Sequence, residues 1–439
     1  MVNYYGMKIV IVGLGKTGLS CVNFFLARKI IPRVIDTRII PPYKDNLSKK
    51  IMLHSGSFNK KWLMNADLIV VSPGVSIYAL ELQMAASKNI EIISDIEIFC
   101  REINKPLICI TGSNGKSTVA TLVTEIAKFA NFRVGLGGNI GIPVLTLLNK
   151  KYDFYVLELS SFQLETTFSL KPTVATILNI TEDHIDRYPG GFTEYCATKL
   201  RIYNNANFFV INKQDPKTWP LDFCHVSSLS FGINSGTHKL NTFTKKLEIK
   251  GVPIIDIKKI YLIGEHNYLN VLAALALSDA IRIPRKSSLM AITKYKGLPH
   301  RFQLIHEHKG IKYINDSKST NISSTKAALK SLKIKGKLYL LLGGQGKSAD
   351  FSQLKSYVAD RNIQLFCFGY DGNKLAKLKK GSLSLDTIEQ CLRVIIKKVK
   401  SGDIVLLSPA CASFDQFHNF EQRGEIFIKL VKKYTNVNF

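Results

Sequence analysis

The sequence predicts an α/β protein of three domains built on mostly parallel sheets. Three stretches each restart an alternation of apolar strand and amphipathic helix, and glycine-rich loops stand where a strand gives way to a helix. In addition, 439 residues exceed what one ordinary core holds.

The first stretch opens with an apolar strand at 8–12 and turns through Gly13-Leu14-Gly15-Lys16-Thr17-Gly18. It then runs as a helix to Arg28 and returns as a strand at 33–36, a Rossmann-like βαβ unit. A buried strand at 68–71 ends in the loop signal Ser72-Pro73-Gly74. Asn104-Lys105-Pro106 suggests a boundary near 94–105, after which an apolar strand at 106–110 starts afresh. The predicted domains are 1–93, 94–298 and 299–439. Within the second, strands are expected at 155–159, 174–178 and 208–211. A turn-rich excursion over 212–260 adds short strands, and Gly264-Glu265-His266-Asn267 leads into an Ala- and Leu-rich helix ending near Ala280. The third opens after Gly297-Leu298-Pro299-His300-Arg301, with strands at 338–342, 365–368 and 404–407.

The chain has no apolar run near 18 residues and begins without a charged-then-apolar leader, so a cytoplasmic protein with no membrane partner is expected. Eight cysteines lie scattered without a C-x-x-C pair and read as small core residues in a reducing compartment. Sixty Lys plus Arg against 33 Asp plus Glu give a net charge of +27, which raises nucleic-acid or anionic-membrane binding as a reading. The excess is spread over all regions without a basic arm, so no nucleic-acid partner is expected.

Thr111-Gly112-Ser113-Asn114-Gly115-Lys116-Ser117-Thr118 reads as a phosphate loop between strand and helix, making the central domain P-loop ATPase-like. Its glycines let backbone N–H groups converge on phosphate oxygens. Lys116 can neutralise the terminal phosphates, and Ser117 or Thr118 can offer a hydroxyl to magnesium. Ile110 occupies the position of the usual first glycine, so the loop is a shortened variant. Glu158 ends a predicted strand where nucleotide-hydrolysing folds place a magnesium-holding acid. His184, in Asn179-Ile180-Thr181-Glu182-Asp183-His184, follows another strand and reads singly as a hydrogen-bonded loop residue. With Glu158, Lys116 and Asn139 it becomes a candidate metal or phosphate ligand. Lys199, by its surroundings, reads as a surface lysine.

The first glycine loop, with Asp36 closing the next strand, fits a nicotinamide or flavin site, another nucleotide diphosphate, or a structural turn. Asn212-Lys213-Gln214-Asp215 imitates a guanine-specificity motif, against which the shortened phosphate loop argues. Gly343-Gly344-Gln345-Gly346-Lys347-Ser348 suits a phosphate or a carboxylate. In Asn315 to Asn321 and Ser408 to Phe417 the Ser and Thr residues can singly cap helices, while three such polar loops in one region fit better with a lined ligand cleft.

Together these motifs resemble the Mur ligases of peptidoglycan assembly. The resemblance spans essentially the whole chain and rests on Thr111 to Thr118, Glu158 to Glu165, Asn179 to Tyr188, Gly264 to Asn270, Leu298 to Phe302, Asn315 to Asn321, Gly343 to Ser348, and Ser408 to Phe420 with Gln422-Arg423-Gly424. It implies a C-terminal Rossmann-like domain. It also implies an amide-forming ligase in which ATP phosphorylates the carboxylate of a UDP-linked muramoyl-alanine and D-glutamate attacks the acyl phosphate. By position, Gly112, Ser113, Asn114, Gly115, Lys116, Ser117, Thr118, Asn139, Asn267, Asn270, Arg301 and Asp316 would bind ATP. Two magnesium ions are implied, the first near Ser117, Thr118 and Glu158, the second held by His184 and a carbamylated Lys199. Lys116, Glu158, His184 and Lys199 would be the catalytic set. Gly15, Lys16, Thr17, Asp36, Thr37, Arg38, Ser72, Pro73 and Gly74 would hold the uridine diphosphate, Lys16 standing where an apolar residue is usual. Lys318, Thr320, Lys347, Ser413 and Phe420 would receive D-glutamate, and a monomer is expected.

Overall fold

A computed structural model describes residues 2–183, 185–222, 226–262, 264–332, 334–346 and 349–435. Its strands form three sheets. The first joins β1 (Ile9–Val12), β2 (Arg33–Asp36), β3 (Leu53–Ser55), β4 (Leu68–Val71) and β5 (Glu91–Ile93) in the order β3-β2-β1-β4-β5, all parallel. Every residue of β1 and β4 is buried, as expected of parallel strands covered on both faces. The chain leaves β1 toward one edge and later returns through β4 toward the other. The carboxyl ends of β1 and β4 therefore flank a topological switch point, the usual crevice for ligands.

The second sheet comprises β6 (Leu107–Thr111), β7 (Val134–Gly138), β8 (Phe154–Glu158), β9 (Val174–Ile177), β10 (Phe208–Asn212), β11 (Ser227–Ile233), β12 (His238–Asn241), β13 (Lys246–Ile249) and β14 (Val252–Asp256). Its order is β14-β13-β12-β11-β10-β9-β6-β8-β7. Pairing is parallel from β7 to β12, and only the β12-β13-β14 edge, from the turn-rich excursion, is antiparallel. Here β6 lies between β8 and β9, so its loop opens at the switch point of this sheet.

These two sheets share one compact unit: Met1–Ile180, Arg187–Lys259 and Leu269–Lys294. The segment that composition marks as a boundary contains the helix Asp95–Glu102, whose first turn is anchored to the chain at 166–169. Ser94 caps the helix and donates its backbone N–H to Thr166 O. Buried Glu97 accepts the N–H groups of Phe168 and Ser169 at 2.7 and 2.9 Å and binds Arg101.

The second unit holds β15 (Gln303–His308), β16 (Ile311–Asn315), β17 (Leu338–Gly343), β18 (Ile363–Phe368), β19 (Leu383–Leu385) and β20 (Ile404–Leu407), in the order β15-β16-β20-β17-β18-β19. Only β15 runs antiparallel. Apolar clusters cover both faces, one centred on Leu340, Leu365 and Leu406, the other on Leu341, Phe366 and Leu407. The edge strand β15 was not visible in the sequence because it is polar and half-buried, with no apolar run to betray it. The last strand, β20, inserts between β16 and β17, which places the loops following all three side by side.

Candidate active site

The phosphate loop leaves β6 through Gly112 and reaches the helix Lys116–Phe129 through Gly115, both at positive φ (149° and 84°). Asn179, just after β9, braces it: its carbonyl accepts from Ser113 N, its Oδ1 from Asn114 N at 2.9 Å, and its Nδ2 donates to Asn114 O at 3.0 Å. Lys116 folds back, donating to the carbonyls of Gly112 and Ser113 at 2.7 and 3.0 Å. Asn270 packs on the loop so closely that a Cβ on Gly115 would lie 2.4 Å from its Oδ1. Gly115→Ala is therefore expected to destabilise the protein by about 1–3 kcal/mol, from left-handed strain and displacement of Asn270. An unchanged denaturant midpoint would show that the loop relaxes instead.

Beside the loop, Glu158 ends β8 in register with Ile110. It is 1% exposed, and its Oε1 accepts from Asn139 Nδ2 at 2.7 Å. Its Oε2 is buried without a hydrogen-bond partner among the described residues. A buried carboxylate oxygen left this way is costly, and a hard divalent cation would satisfy it. The nearly buried hydroxyl side chains of Ser117 and Thr118 supply the oxygen chemistry magnesium takes, so the residues present fit that ion. Among the described residues no cluster of three His, Cys, Asp or Glu could hold a metal, and His184 lies outside them.

The structure corrects the surface reading of Lys199. Its side chain is 2% exposed and its Nζ lies 3.3 Å from Gly112 O and 3.5 Å from Thr111 Oγ1, over the Tyr195 ring at 4.7 Å. Tyr195, one turn earlier on the helix Gly191–Leu200, makes a 2.9 Å hydrogen bond with Ser113 Oγ. Two side chains four residues apart share one helix face, so one short helix serves the loop twice. That spacing was the available signal for Tyr195. The guanine-like segment is structural: Asn212 Nδ2 donates to Leu178 O, and Asp215 accepts from Ile180 N.

In the first sheet, Gly13 turns at φ 95°, and Ser72 Oγ donates to its carbonyl at 2.9 Å, joining the loops after β1 and β4. Gly15 and Thr17 are half-buried there, while Lys16 and Thr37 are exposed, as is Gly74 beside half-buried Pro73. Asp36 is buried with both oxygens engaged, by Leu14 N at 2.6 Å and by the backbone and guanidinium of Arg38. Burial alone would raise its pKa, but the Arg38 side chain and those N–H groups outweigh it and hold the carboxyl below its ordinary range. Asp36 thus fixes the glycine loop and aims the half-exposed Arg38 guanidinium.

In the second unit, Asp316 follows β16. Its Oδ1 accepts from Phe302 N at 3.0 Å, and its Oδ2 from Ser408 Oγ at 2.9 Å and from Ser319 Oγ. Burial pushes its pKa from 3.8 up to about 6, against these hydrogen bonds and neighbouring Arg301. A carboxyl raised in the fold stabilises fully below its unfolded pKa and loses that contribution as pH rises through the folded value. Stability should thus fall by about 3 kcal/mol between pH 4 and 6 on account of this group. Unfolding of Asp316→Asn over that range should lack the component, and identical pH profiles for variant and parent would remove it.

Lys318 holds its ammonium 3.9 Å from the centre of the Phe420 ring, and Thr320 N donates to Lys318 O. Ser413 is buried after β20, and half-buried Arg301 precedes β15. Asn267 is half-buried in the first turn of the helix Glu265–Ala280, one turn before Asn270. Lys347 lies outside the described residues. The sequence reading gave Arg423 no role, yet it is completely buried and ties three loops together. It donates to Ser317 Oγ and O at 3.0 and 2.7 Å, Cys411 O at 3.0 Å and Gly343 O at 3.4 Å. Burial lowers its pKa to about 10. Asn321, and none of the Ser or Thr residues of its loop, caps the helix Ile322–Ser331, and it also donates to Asp183 at 3.1 Å.

Three mostly parallel sheets, the middle one carrying a strand, glycine loop and helix with a buried acid on the adjacent strand, define a nucleotide-dependent α/β enzyme. Family models match successive parts: the Mur ligase MurD-like N-terminal domain at 7–94, the Mur ligase middle domain at 110–278, and the Mur ligase glutamate ligase domain at 300–411. The chain is 55% identical to the UDP-N-acetylmuramoylalanine–D-glutamate ligase of Photorhabdus laumondii, covering 99% of this chain and 100% of that one. It is 54% identical to the Escherichia coli K12 enzyme of the same name, with the same coverage. Among solved structures, the MurF ligase of Thermotoga maritima in complex with ADP shares the fold at a TM-score of 0.63 and 17% identity, over 99% of this chain and 97% of that one. The chain belongs to the Mur ligase family.

Proposed function

We propose that this protein joins D-glutamate to UDP-N-acetylmuramoyl-L-alanine, with ATP converted to ADP and phosphate, in the cytoplasmic stage of peptidoglycan synthesis. The observation that carries this reading is identity of 54–55% over the full length of ligases bearing that name. No helix among the described residues is long and apolar enough to cross a membrane.

A carboxylate is a poor electrophile, and the reaction meets this in two steps. An oxygen of the alanyl carboxylate attacks the γ-phosphorus of ATP and ADP leaves, giving an acyl phosphate. The amine of D-glutamate then attacks the acyl carbon, loses a proton, and phosphate departs as the amide forms. The backbone N–H groups of Gly112 to Thr118 cradle the phosphates at the positive end of the helix Lys116–Phe129. Lys116 swings from its loop carbonyls to the transferring phosphoryl group and offsets charge there. Asn139 orients Glu158 and Asn270 lies on Gly115, and by family position Asn267, Arg301 and Asp316 would also bind ATP.

Glu158, Ser117 and Thr118 would hold one magnesium ion, and His184 with a carbamylated Lys199 a second, and these ions would neutralise charge on the phosphates. Carbamylation turns a lysine ammonium into a carboxylate-like ligand. The domain over 1–93 takes the uridine diphosphate on Gly15, Lys16, Thr17, Asp36, Thr37, Arg38, Ser72, Pro73 and Gly74. The domain over 94–298 takes ATP, and that over 299–439 receives D-glutamate on Lys318, Thr320, Lys347, Ser413 and Phe420. Paired cations suit a dicarboxylate. The protein works as a monomer.

The deciding assay supplies ATP, magnesium, UDP-N-acetylmuramoyl-L-alanine and either D- or L-glutamate. Phosphate release that depends on the D isomer is the expected result, and none with that isomer sinks the assignment.

A further inference from the structure

Arg187 is held from three sides within the first compact unit. Its Nη2 meets Glu165 Oε2 at 2.9 Å, and its guanidinium lies 4.1 Å from the centre of the Phe162 ring. It also reaches the loop after β4, donating to Pro73 O at 3.3 Å and to Val75 O at 3.0 Å. Both acid and base are largely removed from water, at 3% and 11% side-chain exposure. A buried ion pair is weak evidence for stability, since apolar residues of similar volume often serve as well. What apolar residues cannot do is grip two backbone carbonyls at fixed positions. The planar guanidinium does so in one piece.

The loop's own ties are few and local: Val75 N donates to Ser72 O at 2.9 Å, Tyr78 N to Ser76 Oγ at 3.3 Å, and Gln83 Nε2 to Ile77 O at 2.7 Å. Ser72 is committed to Gly13, Pro73 has no N–H to donate, and Gly74 has no side chain. A second tie lies further along, where Tyr78 OH donates to Glu194 Oε1 at 2.5 Å and Glu194 Oε2 accepts from Gly190 N at 2.8 Å. Glu194 shares its helix with Tyr195 and Lys199, which serve the phosphate loop.

We propose that Arg187, anchored by Glu165, is a positioning residue that pre-orders the loop 72–78 for the nucleotide-sugar substrate, with Tyr78 and Glu194 as its second fastening. This rests on the reading above that Ser72, Pro73 and Gly74 hold the uridine diphosphate. An ordered loop binds without first losing conformational freedom, so its loss appears in substrate affinity and not in the chemical step.

The test uses the full-length enzyme and the three substrates. Arg187→Met keeps the apolar stem but loses charge-assisted hydrogen bonds, and the KM for UDP-N-acetylmuramoyl-L-alanine should rise about tenfold. The KM for D-glutamate and kcat should each stay within about twofold of the parent. Arg187→Lys should recover part of the affinity, since one ammonium reaches one carbonyl. Amide exchange over 74–78 should quicken in the methionine variant without ligand. If Arg187→Met does not fold, Tyr78→Phe removes a single hydroxyl from the second fastening and should raise the same KM about threefold. An unmoved KM in the folded variant overturns the proposal, as does an equal rise for every substrate without recovery by lysine. A parent enzyme inactive with D-glutamate would instead sink the functional reading, which keeps the two failures distinct.

Discussion

Lys116→Met is expected to lower phosphate release by about 10³-fold or more while leaving the fold intact. Methionine retains most of the unbranched stem and removes only the charge. In the structure that charge rests against two carbonyls of its own loop, at 2.7 and 3.0 Å, interactions that do little for a global fold. Beside a transferring phosphoryl group in a water-poor site the same charge opposes developing negative charge, where each 1.4 kcal/mol of lost stabilisation costs about tenfold in rate. Steady-state phosphate release and thermal melting, measured together, check this. A variant within about tenfold of the parent rate would remove Lys116 from phosphoryl transfer.

Lys199→Ala is expected to abolish detectable ligation, with partial return of activity when short carboxylic acids are added. The amine is 2% exposed and directed at Gly112 O and Thr111 Oγ1, the residues where β6 becomes the phosphate loop. If a carbamate forms there, the working group is a carboxylate and alanine leaves room for a soluble substitute. Loss without rescue points to the ammonium or to packing against Tyr195. Full activity in the variant would remove Lys199 from the reaction. A loss of about 10²-fold or more with rescue is the outcome that fits a ligand to a catalytic ion.

The two variants also mark what was legible in the sequence. Lys116 was readable because its neighbours are: glycines, a hydroxyl pair and an apolar strand stand in one short run, and the local turn they encode is the site. The most buried strands were readable for the same reason, since parallel strands such as β1, β6 and β17 are continuous apolar runs, whereas the order of strands within each sheet was not. Lys199 was readable only through the family resemblance, because nothing within a few residues of it differs from a solvated helix. Its burial depends on Thr111 and Gly112, nearly ninety positions away in the chain.

Asp36 and Asp316 make the same point from the other side. The glycine-loop pattern marks Asp36 as a ligand residue and the family resemblance marks Asp316, and the fold shows that their oxygens are already engaged by protein donors. Each is positioned to hold a loop in place, Asp36 through Leu14 and Arg38, Asp316 through Phe302, Ser319 and Ser408.

The sequence by itself determined the α/β class and the strand-to-helix loops, because these are written in hydrophobic period and in glycine and hydroxyl spacing over short runs, and the family followed from the resemblance of motifs spread along essentially the whole chain. The tertiary structure alone decided which charged groups are buried and what they grip. Arg187 reaches Pro73 and Val75, and Arg423 reaches Ser317, Gly343 and Cys411, only after distant strands have paired. The cost of burying a charge is met by carbonyls and carboxylates from far along the chain, and no local pattern records which ones.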